Sequence, residues 1–460
     1  MATLREKYIA TPTFYKHALK VAVPLMLQQF LTSSVNILDN LLIALLGDEA
    51  LSGMAATNRF VMIAMFAIMG FMSAATVYIA QYFGAKNETK MRETFRISIF
   101  GAFSIAIPFF LIGTIFARPI MEFLISSGDA TTINYGVECL QVIAWTLLPL
   151  GIIMPIANSL RAIGQVKAPM RAAMVSIAIN LTFDYLLIFG NFGFPRLGIL
   201  GGSLSTLLAR IVEAIILLVV LKRGNYAFNT KAKDLLDFPK TLLFTIIHKG
   251  IPLVINEILW SGGMTMLFTF YSTRGVEVSS GYAIAGSTSD LFFTLFGGMS
   301  IATTVLVSQP LGADKLEEAK RNGYWLLSFS VFMAVIFGVL IYLSSFIVPY
   351  LYSGVSIQAR TVAINCLKIM ACLFFVYMAN AECYFILRSG GDMRSTFFMD
   401  SGFMWCVNLP VVAAFTYFTD WPIYYIYIAG QVTDFLKFVV SFWMVRKEKW
   451  VRNLTKLEQN

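Results

Sequence analysis

Residues 70–85, GFMSAATVYIAQYFGA, and residues 298–313, GMSIATTVLVSQPLGA, align without a gap at an offset of 228. Seven of the sixteen positions are identical: Gly70/Gly298, Ala74/Ala302, Thr76/Thr304, Val77/Val305, Gln81/Gln309, Gly84/Gly312 and Ala85/Ala313. Average composition would give about one. The same offset pairs Pro24 with Pro252 and Gln28-Gln29 with Asn256-Glu257. Further on, LRAIG at 160–164 answers LRSGG at 387–391. Self-similarity on this scale makes the chain two related halves.

Both halves are apolar. Of 460 residues 58% are hydrophobic and 13% charged, and the mean hydropathy is +0.72. Soluble domains carry about 25% charged residues, and a single water-soluble core stops growing at about 250–300 residues. This composition excludes an ordinary soluble enzyme, a secreted disulfide scaffold and a disordered chain. Apolar runs long enough for a ~30 Å hydrocarbon layer fall near 18–46, 56–83, 95–116, 133–159, 168–190, 198–221, 244–272, 281–310, 324–348, 358–386, 395–418 and 422–445. The expected fold is therefore an all-α membrane protein of twelve transmembrane helices in two pseudo-symmetric six-helix bundles. Its lobes would cover 1–222 and 244–460, the second with a tail, joined by a cytoplasmic linker over 223–243. The opening residues show no cleavable signal pattern.

Charge sets the orientation. Of 35 Lys and Arg, 27 lie at the termini and in even-numbered connections, and four (Arg118, Arg196, Arg274 and Arg360) in odd-numbered ones. By the positive-inside rule both termini are expected in the cytoplasm of a cell-membrane protein. The formal charge of +9 is then a topology signal, and no nucleic-acid partner is expected. Six spans per half point both halves the same way, as in parallel-repeat transporters that work by alternating access. A ring-shaped channel needs no such duplication, and a monomer in the bilayer is expected. Five cysteines without CxxC spacing read as reduced core residues. His17 and His248 lack a second ligand at helical spacing, and no Walker-type, HExxH or GxSxG motif occurs. Neither a cofactor nor enzymatic chemistry is expected.

Ionisable groups inside the spans are costly and need partners. Asp39 falls seven residues, roughly 10 Å, from the end of the first span, and Asp184 at a matching depth in the fifth. Asn180 shares the Asp184 face, and Thr206 descends to a similar level in the sixth span. Two carboxylates, an amide and a hydroxyl suit Na⁺ at Asp39, Asn180 and Asp184; two neighbouring carboxylates equally suit a proton. Glu257 follows Asn256 in the seventh span, as a candidate second site or a lobe-packing group. Asp290 and Asp400 are candidates for lining a cavity, as is Glu382. Arg210/Glu213 and Asp434/Lys437 are i,i+3 pairs expected to neutralise each other, while Lys368 has no assigned partner. Pro24 and Pro252 remove helix hydrogen bonds and are candidate hinges.

With these residues in view, the chain resembles the multidrug and toxic compound extrusion (MATE) transporters. The resemblance lies in the twelve spans in two halves, Pro24 and Asp39 in the first span, and INLTFDYLLIFGNFGFPRLGILGGSLST at 179–206. QYFGAKN at 81–87, SQPLGAD at 308–314 and LRAIGQ at 160–165 also fit. The likeness implies that Asp39, Asn180, Asp184 and, more weakly, Thr206 match the family's N-lobe cation or proton site. It also implies that Glu257 matches the C-lobe acid of the Na⁺-using subgroup. That subgroup expects an aspartate in the tenth span where this chain has Tyr377, with Glu382 the nearest acid. The implied function is a secondary antiporter exporting amphipathic, often cationic organic compounds in exchange for Na⁺ or H⁺. The alternatives are a lipid-linked precursor flippase of the same superfamily and an ion channel.

Overall fold

In hydrocarbon every backbone N–H and C=O must find a partner, and a helix pairs them within one segment. The structure, a computed structural model, describes residues 8–125, 129–352 and 355–457. Among the described residues there is no strand, and twelve helices are long and apolar enough to cross a membrane. They are α1 (Pro12–Ile43), α2 (Glu49–Gly84), α3 (Glu88–Ile115), α4 (Ala130–Ala162), α5 (Lys167–Phe189) and α6 (Ile199–Arg223). After the connection come α7 (Lys240–Ser272), α8 (Glu277–Gly312), α9 (Leu316–Leu351), α10 (Ile357–Ser389), α11 (Met393–Phe418) and α12 (Ile423–Arg446). Most outrun the apolar windows. The first begins at Pro12 rather than near 18, because Lys16, His17 and Lys20 continue the helix while their polar ends reach outward.

The chain packs into two compact units. The first comprises Met1–Met26, Ala80–Lys86 and Ile255–Asn460; the second comprises Leu27–Ile79 and Asn87–Val254. The chain thus changes unit within α1 after Met26 and within α7 after Val254, in each case two residues beyond a proline, Pro24 or Pro252. The segment 223–243 is fastened to α3. Phe228 is buried with its ring 5.0 Å from that of Phe95, and Arg96 bonds the Thr230 hydroxyl at 2.8 Å.

The repeated glycines are contact points. In the first unit a β-carbon on Gly84 would stand 1.9 Å from the Gln309 carbonyl oxygen, and one on Gly312 would stand 1.8 Å from that of Gln81. The two copies of the motif therefore press backbone against backbone, each through its own glycine. Their continuations share a left-handed residue, Lys86 at φ 55° and Asp314 at φ 62°.

Gln81 also holds the tail. Its amide donates to the carbonyls of Ser389 and Arg452, and its oxygen accepts from the Leu454 N–H at 2.8 Å. Trp450 is wholly buried and donates to the Val445 carbonyl. Beyond it Lys456 pairs with Asp314 at 2.6 Å; Lys456 and Asn453 together hold that carboxyl below the usual aspartate range. Large-to-small changes at a buried Trp cost about 3–5 kcal/mol. Trp450→Ala is accordingly expected to lower the melting temperature in detergent and to open the tail to protease. An unchanged melt would show that the tail is not docked.

Candidate functional site

The seam between α5 and α6 is built from small and polar residues, which let helices approach closely. Four-residue spacing puts Ser176, Asn180 and Asp184 on one stripe of α5. The Ser176 hydroxyl donates to the Ala209 carbonyl at 2.9 Å, and the Asn180 amide to the Ser205 hydroxyl at 3.1 Å. Ser205 in turn donates to the Asn180 carbonyl at 2.7 Å. At the next level Asp184 meets Gly202, where an added β-carbon would sit 3.8 Å from its Oδ1. Gly201, one residue earlier, brings α6 against the backbone of Leu187 and Ile188.

Asp39 of α1 completes the group. Its carboxyl lies within hydrogen-bonding reach of Asp184, and Asp184 within reach of Ser205. Both side chains leave a buried oxygen without a partner, Oδ1 of Asp39 and Oδ2 of Asp184. A buried polar atom is rarely left unsatisfied. Two facing carboxylates with orphaned oxygens can hold a proton between them, or take a small cation with Asn180 and Ser205 as neutral neighbours. The apolar cluster of Ile43, Ala50, Met54, Cys139, Ile143, Ile188 and Ile199 belongs to the same unit.

Depth on a helix was readable from sequence, but rotation was not. Thr206 bonds the carbonyl of Gly202 on its own helix, and Ser205, one position and about 100° away, supplies the hydroxyl that faces Asn180. Arg161, in the last turn of α4, is half-buried and donates to Gln28 Oε1 at 3.4 Å and Asn158 Oδ1 at 3.3 Å. Its equivalence to Arg388 through the LRAIG/LRSGG repeat was the available signal. Arg210 pairs with Glu213 at 2.8 Å as expected and also acts electrostatically on Asp39.

In the first unit Asp400 acts electrostatically on both Glu257 and Asp434. Glu382 is fully buried and accepts from the hydroxyls of Thr303 (2.5 Å) and Ser330 (2.8 Å), joining α10 to α8 and α9. The charged groups acting on Glu257 are Arg388 and Asp400. Tyr377 stacks on Phe293 with centroids 4.4 Å apart, and Asp290 is exposed on α8. Lys437 makes its direct ion pair with Asp400 of α11, at 2.9 Å, and acts on Asp434 of its own helix electrostatically, so the expected neutralisation takes in a second acid. Lys368 lies over the Phe346 ring at 5.0 Å. Among the cysteines, Cys139, Cys366 and Cys383 are buried but Cys372 and Cys406 are exposed, correcting the all-core reading. Apolar surroundings in lipid do not require burial within protein.

Residues 24–186 and 252–413 each match a family model described as MatE, and the two matches begin 228 residues apart, the offset of the repeat. "Probable multidrug resistance protein YoeA" of Bacillus subtilis (strain 168) is 23% identical over 454 residues, covering 96% of each chain. "Probable multidrug resistance protein NorM" of Thermotoga maritima is 27% identical over 341 residues, covering 72% of this chain and 71% of its own. A solved chain described as "Outward-facing conformation of a multidrug resistance MATE family transporter of the MOP superfamily" superposes with a TM-score of 0.83 at 17% identity. It covers 95% of this chain and 97% of its own. At that identity the likeness is one of fold.

Proposed function

The chain belongs to the MatE family, and from that premise we propose that it exports amphipathic, often cationic organic compounds in exchange for Na⁺ or H⁺. It is a multi-pass membrane transporter and not an enzyme. On this reading it works in the cell membrane as a monomer, with both termini in the cytoplasm, an orientation the Lys and Arg distribution supports. Asp39 and Asp184 take the coupling cation, and Asn180 and Ser205 serve as neutral neighbours. Pro24 lets α1 bend when the cation binds, and Pro252 gives α7 the same freedom. Coupling needs the cation to bind two conformations with different affinity. A carboxylate pair shared between α1 and α5 meets that need, because any shift of α1 separates the pair. The observation that carries the reading is the buried, unpartnered oxygen on each of the two facing carboxylates.

The test is counter-flow in proteoliposomes. An imposed inward Na⁺ or H⁺ gradient should drive uphill movement of a fluorescent organic cation, and collapsing that gradient should stop it. Ion current without the organic cation would indicate a channel. Movement of a polyprenyl-phosphate headgroup, with no effect of either gradient on the organic cation, would indicate a lipid-precursor flippase.

A further inference from the structure

Among the described residues of the first unit no carboxylate oxygen is buried without a partner, and the ammonium of Lys437 lies deep in a span instead. Lys437 lies 14 residues from the start of α12 and nine from its end, so roughly 21 Å and 14 Å of helix separate it from the two ends. A lysine at that depth needs a reason. Its Nζ stands 2.9 Å from Asp400 Oδ1, and the two side chains are only 15% and 20% exposed. The other carboxylate oxygen of Asp400 accepts from the Asn256 amide at 3.0 Å. The side-chain oxygen Oδ1 of Asn256 accepts from the Ser401 N–H and hydroxyl. A π-helical turn at Phe398–Gly402 carries Asp400 and Ser401, and such turns recur where a helix must re-aim functional groups. Asp434 lies one turn before Lys437, within its electrostatic reach. Among the described residues, the aspartate oxygens buried without a partner are those of Asp39 and Asp184 in the second unit, and none belongs to Asp400 or Asp434.

We propose that Lys437 is a tethered counter-cation: its ammonium occupies the position in the first unit that a free cation would need, so this half takes no coupling ion. The inference deepens the proposed antiport, since it assigns all ion coupling to the second unit. Lys437 is therefore a positioning residue that keeps Asp400, Asn256 and Ser401 in register across α7, α11 and α12. The position selects a small monovalent cation, ammonium-like or Na⁺, once the lysine is cut back.

The experiment is thermal unfolding of the purified full chain in detergent, in choline chloride, NaCl or ethylammonium chloride at equal ionic strength. Lys437→Ala should melt several degrees below wild type in choline and recover at least half of that loss in Na⁺ or ethylammonium. The recovery should persist when Asp39→Asn is added. Lys437→Arg, which keeps a cation beside Asp400, should melt like wild type. If Lys437→Ala does not accumulate, the charge-matched pair Lys437→Met with Asp400→Asn should accumulate normally and ignore both cations. Failure of that pair as well would show that the lysine acts by packing, which overturns the proposal. So would an unfolding midpoint of Lys437→Ala that no cation moves, or a recovery that disappears with Asp39→Asn. An Asp39→Asn single variant with intact coupling would defeat the antiport reading while leaving the cation rescue of Lys437→Ala in place, so the two failures are separable.

Discussion

Asp184→Asn is expected to reduce gradient-driven efflux of a fluorescent organic cation to the level of cells without the transporter, at an unchanged amount of protein in the membrane. The substitution keeps size and hydrogen-bonding capacity and removes one negative charge from a facing pair. Hydrogen bonds to charged groups contribute about 1.5–3 kcal/mol, so losing one should weaken cation affinity roughly 10- to 100-fold. Asp39→Asn should do the same, and the double variant should be little worse than either, because the two act as one site. Ser205→Ala is expected to have a smaller effect on the same readout, since a hydroxyl is lost but both charges remain. Thr206→Val should be nearly neutral, its hydroxyl being engaged by its own helix. Efflux that survives in both aspartate variants would remove the coupling site, and equal loss in Thr206→Val would show that the rotation of α6 has been misread.

Gly312→Val is expected to be the most damaging substitution for folding. Even a methyl group there would meet the Gln81 carbonyl oxygen at 1.8 Å, and the matching change at Gly84 would meet the Gln309 carbonyl at 1.9 Å. Side chains can swing away from an intruding atom, but a helix carbonyl cannot move without breaking its own ladder. Overpacking typically costs about 1–3 kcal/mol, occasionally more; with backbone on the far side the upper end applies, and valine adds two further methyls. Gly312→Val and Gly84→Val should each leave little folded protein in the membrane, and Gly312→Ala should lower the melting temperature sharply. Gly164, which has nothing within 4 Å of an added β-carbon but a positive φ of 82°, provides the contrast. There an alanine carries backbone strain alone and should cost far less. Normal accumulation of Gly312→Val would mean that the two motif copies do not meet as described.

Hydropathy, repeat and charge asymmetry need no contacts to be read. A ~30 Å layer fixes how many apolar residues make a span, and a duplicated sequence reports its own offset. The twelve helices, the paired halves and the membrane interior as solvent for Asp39 and Asp184 were all legible in the chain for that reason. Azimuth was not legible. A one-residue step turns a side chain by about 100°, so the hydroxyl that meets Asn180 is that of Ser205, while that of Thr206 bonds its own helix. The direct ion-pair partner of Lys437 is Asp400, 37 residues away, while Asp434 one turn before it is reached electrostatically. Arg161, in the last turn of α4, donates to Gln28 of α1, a partner 133 residues away that spacing does not give. Sequence determined which groups had to find partners inside the membrane, because an unpaired charge there is too costly to leave alone. Only the tertiary structure decided which partners they found, because that depends on how each helix is rotated against its neighbours.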